Sequence, residues 1–153
     1  LILADALSYV SEKYQPDIML DLATLTGACS VALGPIFAAI MSKQEGLVAQ
    51  VRKAGLESGE RCWELPLDDA YKKAVDSHVA DICNIGSREY RAGTITATWF
   101  LHHFVGKNIQ WAHLDIAGVA YKPVGKKYLD SYNASGFGVE LLTELCTSNT
   151  YLG

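Results

Sequence analysis

Asp17-Ile-Met-Leu-Asp-Leu-Ala-Thr-Leu-Thr-Gly-Ala28 is the stretch from which the fold can be read. Residues 18–22 form a short, almost wholly apolar run, the pattern of a strand buried on both faces of a parallel sheet. Thr24, Thr26 and Gly27 follow at once, and a small-residue segment, 28–33, comes next. A strand, a tight polar turn and a new apolar element are how open α/β sheets place ligand sites, at the carboxyl ends of strands. A glycine in such a turn lets a ligand approach the backbone with no Cβ in the way. Pattern alone also fits a strand-to-helix turn that binds nothing.

Working outward, residues 1–14 carry apolar side chains at 3, 7, 10 and 14, one face of an amphipathic helix that Pro16 ends. The chain enters that helix with no initiator Met and no Ser, Thr or Asp cap, which is the expectation for a truncated chain. On the other side, Gly34-Pro35 closes a short helix over 28–33, and 36–41 reads as a second strand. Residues 45–58 read as a helix with Leu47, Val48, Val51, Ala54 and Leu56 mostly on one side, closed by Gly59. Trp63 to Leu67 reads as a loop or edge segment, because Pro66 cannot serve a central ladder. Asp68 caps a short helix to about Val75, and 79–82 reads as a third strand. Residues 92–105 are apolar nearly all round, the pattern of a buried helix. Residues 110–116 make a fourth strand, 121–133 a Lys-, Gly- and Tyr-rich loop, and 134–147 a closing helix. This alternation predicts an α/β three-layer sandwich with a mainly parallel sheet, and no boundary divides residues 1–153 into two units.

Composition narrows the function classes. The 153 residues are half apolar and one-fifth charged, with a net charge of −4, which argues against nucleic acid or an anionic membrane as the main partner. No apolar run reaches the roughly 20 residues of a membrane span, and no signal-peptide pattern is visible. Cys29, Cys62, Cys83 and Cys146 form no C-x-x-C pair and read as the thiols of a reduced, cytoplasmic protein.

The chemistry-bearing residues are sparse. His113 and Asp115 lie two apart on a strand and share a face; with Asp21 they could supply metal ligands, but structural hydrogen bonding at strand ends is the better reading. His102 and His103 sit about 100° apart around a helix and do not act together. Gly118 to Lys127 lacks the Ser or Thr of a P-loop, and no G-x-S-x-G or H-E-x-x-H occurs. Read from the residues alone, the chain offers a ligand-shaped turn and no complete catalytic set.

Four segments taken together carry a family resemblance: Leu1-Ile-Leu-Ala-Asp-Ala-Leu7, Asp21-Leu-Ala-Thr-Leu-Thr-Gly-Ala28, Ala92-Gly-Thr-Ile-Thr-Ala97 and Trp111-Ala-His-Leu-Asp-Ile-Ala-Gly118. In order and spacing they resemble the cytosol (leucyl) aminopeptidases, two-metal enzymes that release N-terminal residues, often Leu, from peptides. Ser58-Gly-Glu60, Trp63-Glu-Leu-Pro66, Ala80 to Gly86 and Ala134 to Gly138 add to the likeness. The resemblance implies a metal-dependent aminopeptidase with two divalent ions, zinc or manganese, and a bicarbonate site. It also implies cytoplasmic location, a homo-hexamer of the full-length protein, and peptide substrates rather than nucleic acid.

The family's metal ligands belong to a Lys/Asp segment and an Asn-Thr-Asp-Ala-Glu-Gly-Arg-Leu motif, whose last residue aligns with Leu1. Residues 1–153 would therefore be the C-terminal portion of the catalytic domain, with the metal-binding part and an N-terminal domain upstream. No metal ligand and no catalytic side chain carries over, so the chain alone is expected to be inactive. What carries over is the substrate floor: the Leu25 carbonyl and Gly27 amide for the peptide backbone, and Thr24, Gly27, Ala117 and Ala120 around the first side chain. At position 120 the family often has a larger residue. Two other classes remain beside this one: a non-enzymatic α/β binding or scaffold module on the same fold, and a nucleotide-binding Rossmann-like domain, which lacks its glycine fingerprint.

Overall fold

A computed structural model describes residues 1–121 and 134–148. The elements are helix α1 (Ile2–Lys13), strand β1 (Ile18–Ala23), α2 (Gly27–Leu33), β2 (Ala38–Ser42), α3 (Glu45–Ser58) and β3 (Cys62–Glu64). A 3-10 helix (Asp69–Val75), α4 (Gly93–His102), β4 (Gln110–Asp115) and α5 (Val139–Thr147) complete them. The strands form one sheet in the order β1-β4-β2-β3. β1 pairs with β4 and β2 with β3 in parallel, and β2 runs antiparallel to β4. The sheet is thus mostly parallel, as the alternation of elements predicts.

Strand alternation sorts the sheet into two faces of different chemistry. On one face Met19, Ala39, Met41 and Trp111 meet Leu7, Cys29, Trp99, Phe100 and Leu101 from α1, α2 and α4. On the other, Ile40, Ala112 and Leu114 meet Leu47, Val48, Val51, Leu141 and Leu145 from α3 and α5. The three layers are α1/α2/α4, sheet, and α3/α5. Asp21, His113 and Asp115 all occupy odd positions with Met19 and Trp111, so the buried polar groups of the sheet lie on the α2/α4 side. The α3/α5 side of the sheet is apolar.

Three details differ from the sequence reading. Residues 79–82 are not a strand: Val79 is 97% exposed. The Ser77 hydroxyl there accepts from the Val79 and Ala80 amides at 3.2 and 3.1 Å, a local turn that competes with a ladder. The remaining strand is β3, on the sheet edge, where Pro66 confines it. Leu56 points outward, 69% exposed, while Gly55 takes the buried position beside Ala54. α5 starts at Val139 rather than 134, because Gly136 and Gly138 hold φ of 70° and 102° and a right-handed helix cannot pass through them. Glu60, buried across the fold, compensates: its Oε2 accepts from the Gly138 and Leu141 amides, both at 2.9 Å. The predicted loop over 121–133 falls, beyond Tyr121, outside the described residues.

Asp68 behaves as read from the sequence, its carboxylate accepting from the Ala70 amide at 2.8 Å. Among the described residues no helix is long and apolar enough to cross a membrane.

Candidate functional site

Because β1 and β4 are parallel and in register Ala23↔Asp115, their carboxyl ends finish side by side. That register puts the Asp115 carboxylate under the turn leaving β1. Asp115 is fully buried and both its oxygens accept hydrogen bonds. Oδ1 accepts from the Leu25 amide at 3.2 Å and the Ala117 amide at 3.1 Å, and Oδ2 accepts from the Thr26 hydroxyl at 2.6 Å. One side chain therefore fastens the 24–27 turn and the 116–118 turn to each other. Burial of an anion is tolerable here because three donors replace its hydration.

Thr26 extends the network. It is the N-cap of α2, its Oγ1 accepting from the Cys29 amide at 3.1 Å, and the same oxygen lies 3.0 Å from Thr94 Oγ1 in the first turn of α4. The Cys29 thiol donates to the Asp115 carbonyl at 3.4 Å; burial, with the Asp115 charge second, pushes its pKa up to about 11. Cys29 is a structural hydrophobe and a weak donor here rather than a nucleophile.

The five residues singled out from the sequence fall as follows. Thr24 and Gly27 are exposed, and Leu25 is half-buried. A Cβ placed on Gly27 would meet nothing within 4 Å. Gly27 also opens α2, so its amide is a first-turn donor with no partner inside the helix. Ala117 is brought to this turn by Asp115; Ala120 lies further along, its amide bonded to the Ile116 carbonyl at 2.9 Å. The glycine between them is obligatory for another reason. A Cβ on Gly118 would stand 2.2 Å from the Gly34 carbonyl oxygen at the end of α2. The backbone closeness that a sequence reader attributes to Gly27 is thus a packing requirement at Gly118 and open surface at Gly27.

Asp21 and His113 form a separate buried pair, Oδ1 to Nδ1 2.6 Å, and Trp111 Nε1 donates to Asp21 Oδ2 at 2.7 Å. Trp111 and His113 stack two residues apart along β4, as strand periodicity demands. His113 Nε2 is buried with no hydrogen-bond partner among the described residues. Asp21 and Asp115 are thus committed to different tasks. Among the described residues no group of three or more His, Cys, Asp or Glu could hold a metal ion. These residues do not fit a metal pair.

A cavity of about 630 Å³ opens at the other end of β4, lined by Lys43, Asp69, Trp99, His102 and Trp111 among others. Lys43 pairs with Asp69 and lies 4.7 Å over the Trp99 ring. Burial and the charges of Lys43 and Lys72 hold the His102 pKa below its usual 6.5. This cavity shares none of its lining residues with the β1–α2 turn.

The sequence profile of the cytosol aminopeptidase family, catalytic domain, matches residues 1–143. The chain belongs to the cytosol aminopeptidase family. Relatives named "Probable cytosol aminopeptidase" include one from Chloroherpeton thalassium, 51% identical over 145 residues, covering 95% of this chain and 28% of the relative. Another, from Geobacter sulfurreducens, is 50% identical over 144 residues, covering 94% and 28%. One from Acidithiobacillus ferrooxidans is 52% identical over 144 residues, covering 94% and 27%. A solved lysine-to-glutamate variant of tomato leucine aminopeptidase superposes with a TM-score of 0.82 at 39% identity, over 94% of this chain and 27% of that one. The chain therefore spans a little over a quarter of the length of these family members.

Asp115, read from the sequence as a structural hydrogen-bonding group at a strand end, organises the turn together with Thr94, which sequence reasoning left without a role. An Asp at the end of a strand, ahead of Ala-Gly, was the available signal for Asp115. Nothing local marked Thr94, whose partner is 68 residues away.

Proposed function

We infer that this chain is the C-terminal portion of an aminopeptidase catalytic domain and supplies the floor on which a peptide's N-terminal residue is held. The observation that carries this reading is the Asp115 clamp. It holds Leu25 and Ala117 together and leaves Gly27 open to solvent at the mouth of two parallel strands, the usual ligand position in such sheets. On this reading the Gly27 amide and Leu25 carbonyl bind the peptide backbone, and Thr24, Gly27, Ala117 and Ala120 surround the first side chain, which is Leu-like.

The chain contributes binding and orientation. The two divalent ions that a metal-dependent peptidase of this family employs, zinc or manganese, would be held by residues outside this chain, as would any bicarbonate. The chain alone is accordingly inactive. The full-length protein is proposed as a cytoplasmic homo-hexamer acting on peptides, a location in keeping with the names its relatives carry.

Two measurements test the reading. A titration of the 15N-labelled chain with Leu-Leu should move the amide signals of Leu25, Gly27 and Ala117 before others; signals that stay put rule out the floor. Leu-p-nitroanilide with Mn²⁺ or Zn²⁺ should give no turnover by the 153-residue chain, and robust turnover would refute the assignment of the ligands to another segment.

A further inference from the structure

We propose that the cavity formed by Arg88 and Arg91 beside the β1–α2 turn is a carboxylate subsite, which binds the free C-terminus of a short peptide whose N-terminal residue lies on the floor. The proposal rests on the floor reading above and extends it to a substrate class, di- and tripeptides with a free carboxyl end.

The cavity, of about 410 Å³, is lined by Ala28, Gly86, Ser87, Arg88, Arg91, Ala92, Gly93 and Thr96. Among the described residues neither guanidinium has an ion-pair partner; the pairs there are Lys43–Asp69, Arg52–Glu64 and His113–Asp21. Both arginines are exposed and line one concavity, where a carboxylate can be met with bidentate geometry. α4 adds to the field. Its N-cap is Ala92, with no side-chain cap, and Ala92, Gly93 and Thr96 at its start line the cavity.

The cavity is also in the right place. Thr26 Oγ1 touches Thr94 Oγ1 at 3.0 Å, and a Cβ on Gly93 would lie 3.0 Å from the Ala28 Cβ. The floor and the cavity thus share the start of α2. The opposite wall, Ala117-Gly118, meets α2 at its other end, with Gly118 against Ser30 and Gly34. A peptide whose first side chain sits toward Ala117 therefore extends across Gly27 toward Ala28 and the arginines. Ala28, next to Gly27 in the chain, lines the cavity, so a second or third peptide residue, with Cα atoms about 3.8 Å apart, carries the carboxylate toward that lining. Gly86 and Gly93 leave little room for larger residues here, since a Cβ on Gly86 would stand 2.6 Å from Thr96 Oγ1.

The test is an NMR titration of the 153-residue chain with Leu-Leu, Leu-Leu-amide and inorganic phosphate, repeated on Arg88→Gln/Arg91→Gln. The expected result is that Leu-Leu shifts Gly27, Gly93 and both arginine Nε–H signals, and binds about tenfold tighter than the amide. In the double variant that preference disappears while the Gly27 shift with either ligand persists. Equal affinity for acid and amide, with Gly27 still responding, overturns the subsite and leaves the floor reading intact. Arginine signals that respond to phosphate as strongly as to Leu-Leu also overturn it, in favour of a general anion site. If neither dipeptide moves Gly27, both readings fall. Unchanged amide signals in the sheet of the double variant exclude misfolding as the cause.

Discussion

Replacing Asp115 tests how the candidate site is built. Asp115→Ala removes the acceptor for the Leu25 amide, the Ala117 amide and the Thr26 hydroxyl at one stroke. Hydrogen bonds to a charged group each contribute about 1.5–3 kcal/mol net, which would sum to more than 4 kcal/mol. Two corrections lower this. Leu25 and Ala117 are half-buried, so water can reach their amides once the carboxylate is gone, and the cost of holding a buried anion disappears with it. A net loss of about 3 kcal/mol is expected, a large share of the 5–15 kcal/mol stability typical of a domain. Asp115→Asn should be milder, about 1–2 kcal/mol, for a geometric reason. Its oxygen can keep Leu25 and Ala117, while its NH₂ meets Thr26, whose hydroxyl can turn to donate to Thr94 instead. Urea unfolding followed by tryptophan fluorescence, with unchanged m-values, measures both. Asp115→Ala within 0.5 kcal/mol of wild type, or Asp115→Asn costlier than Asp115→Ala, would refute the clamp (thresholds on the order of the usual effect of an exposed surface substitution).

Further outcomes follow from the same geometry. Gly118→Ala should destabilise by about 3 kcal/mol, since its Cβ meets a backbone oxygen that cannot swing away, and should lower Tm by roughly 6–12 °C. Gly27→Ala, with open space around it, should leave Tm nearly unchanged and weaken Leu-Leu binding; calorimetry and NMR separate the two effects. Gln15, which follows α1 with φ 46°, should gain about 0.5–1 kcal/mol on replacement by Gly, read from the urea midpoint. His102 should titrate below 6.5 by NMR. Because its folded pKa is depressed, the unfolded chain binds the extra proton, so stability at this site falls as pH drops from 6.5 through the folded value. At pH 8 a thiol reagent should label exposed Cys146 first and leave Cys29 and Cys62, with pKa values pushed up to about 11 and 12, untouched until unfolding.

The alternation of apolar runs with helical periodicity was enough to settle the layer architecture and most of its elements, because burial of one face is a local property of the chain. It went astray at 79–82, where a serine turn outcompeted an apolar run, and at 134–138, where two positive-φ glycines delayed α5. The Thr-Leu-Thr-Gly turn was visible as a ligand-shaped segment for the same local reason. What held it in shape was not, since Asp115 lies 90 residues from Leu25 and Thr94 lies 68 from Thr26. Only the parallel register of β1 with β4 brings Asp115 beneath the turn, and only then do its oxygens become occupied and unavailable to a metal. Pattern in one dimension reports which residues turn inward; which of them meet depends on strand order, and strand order is a property of the whole fold.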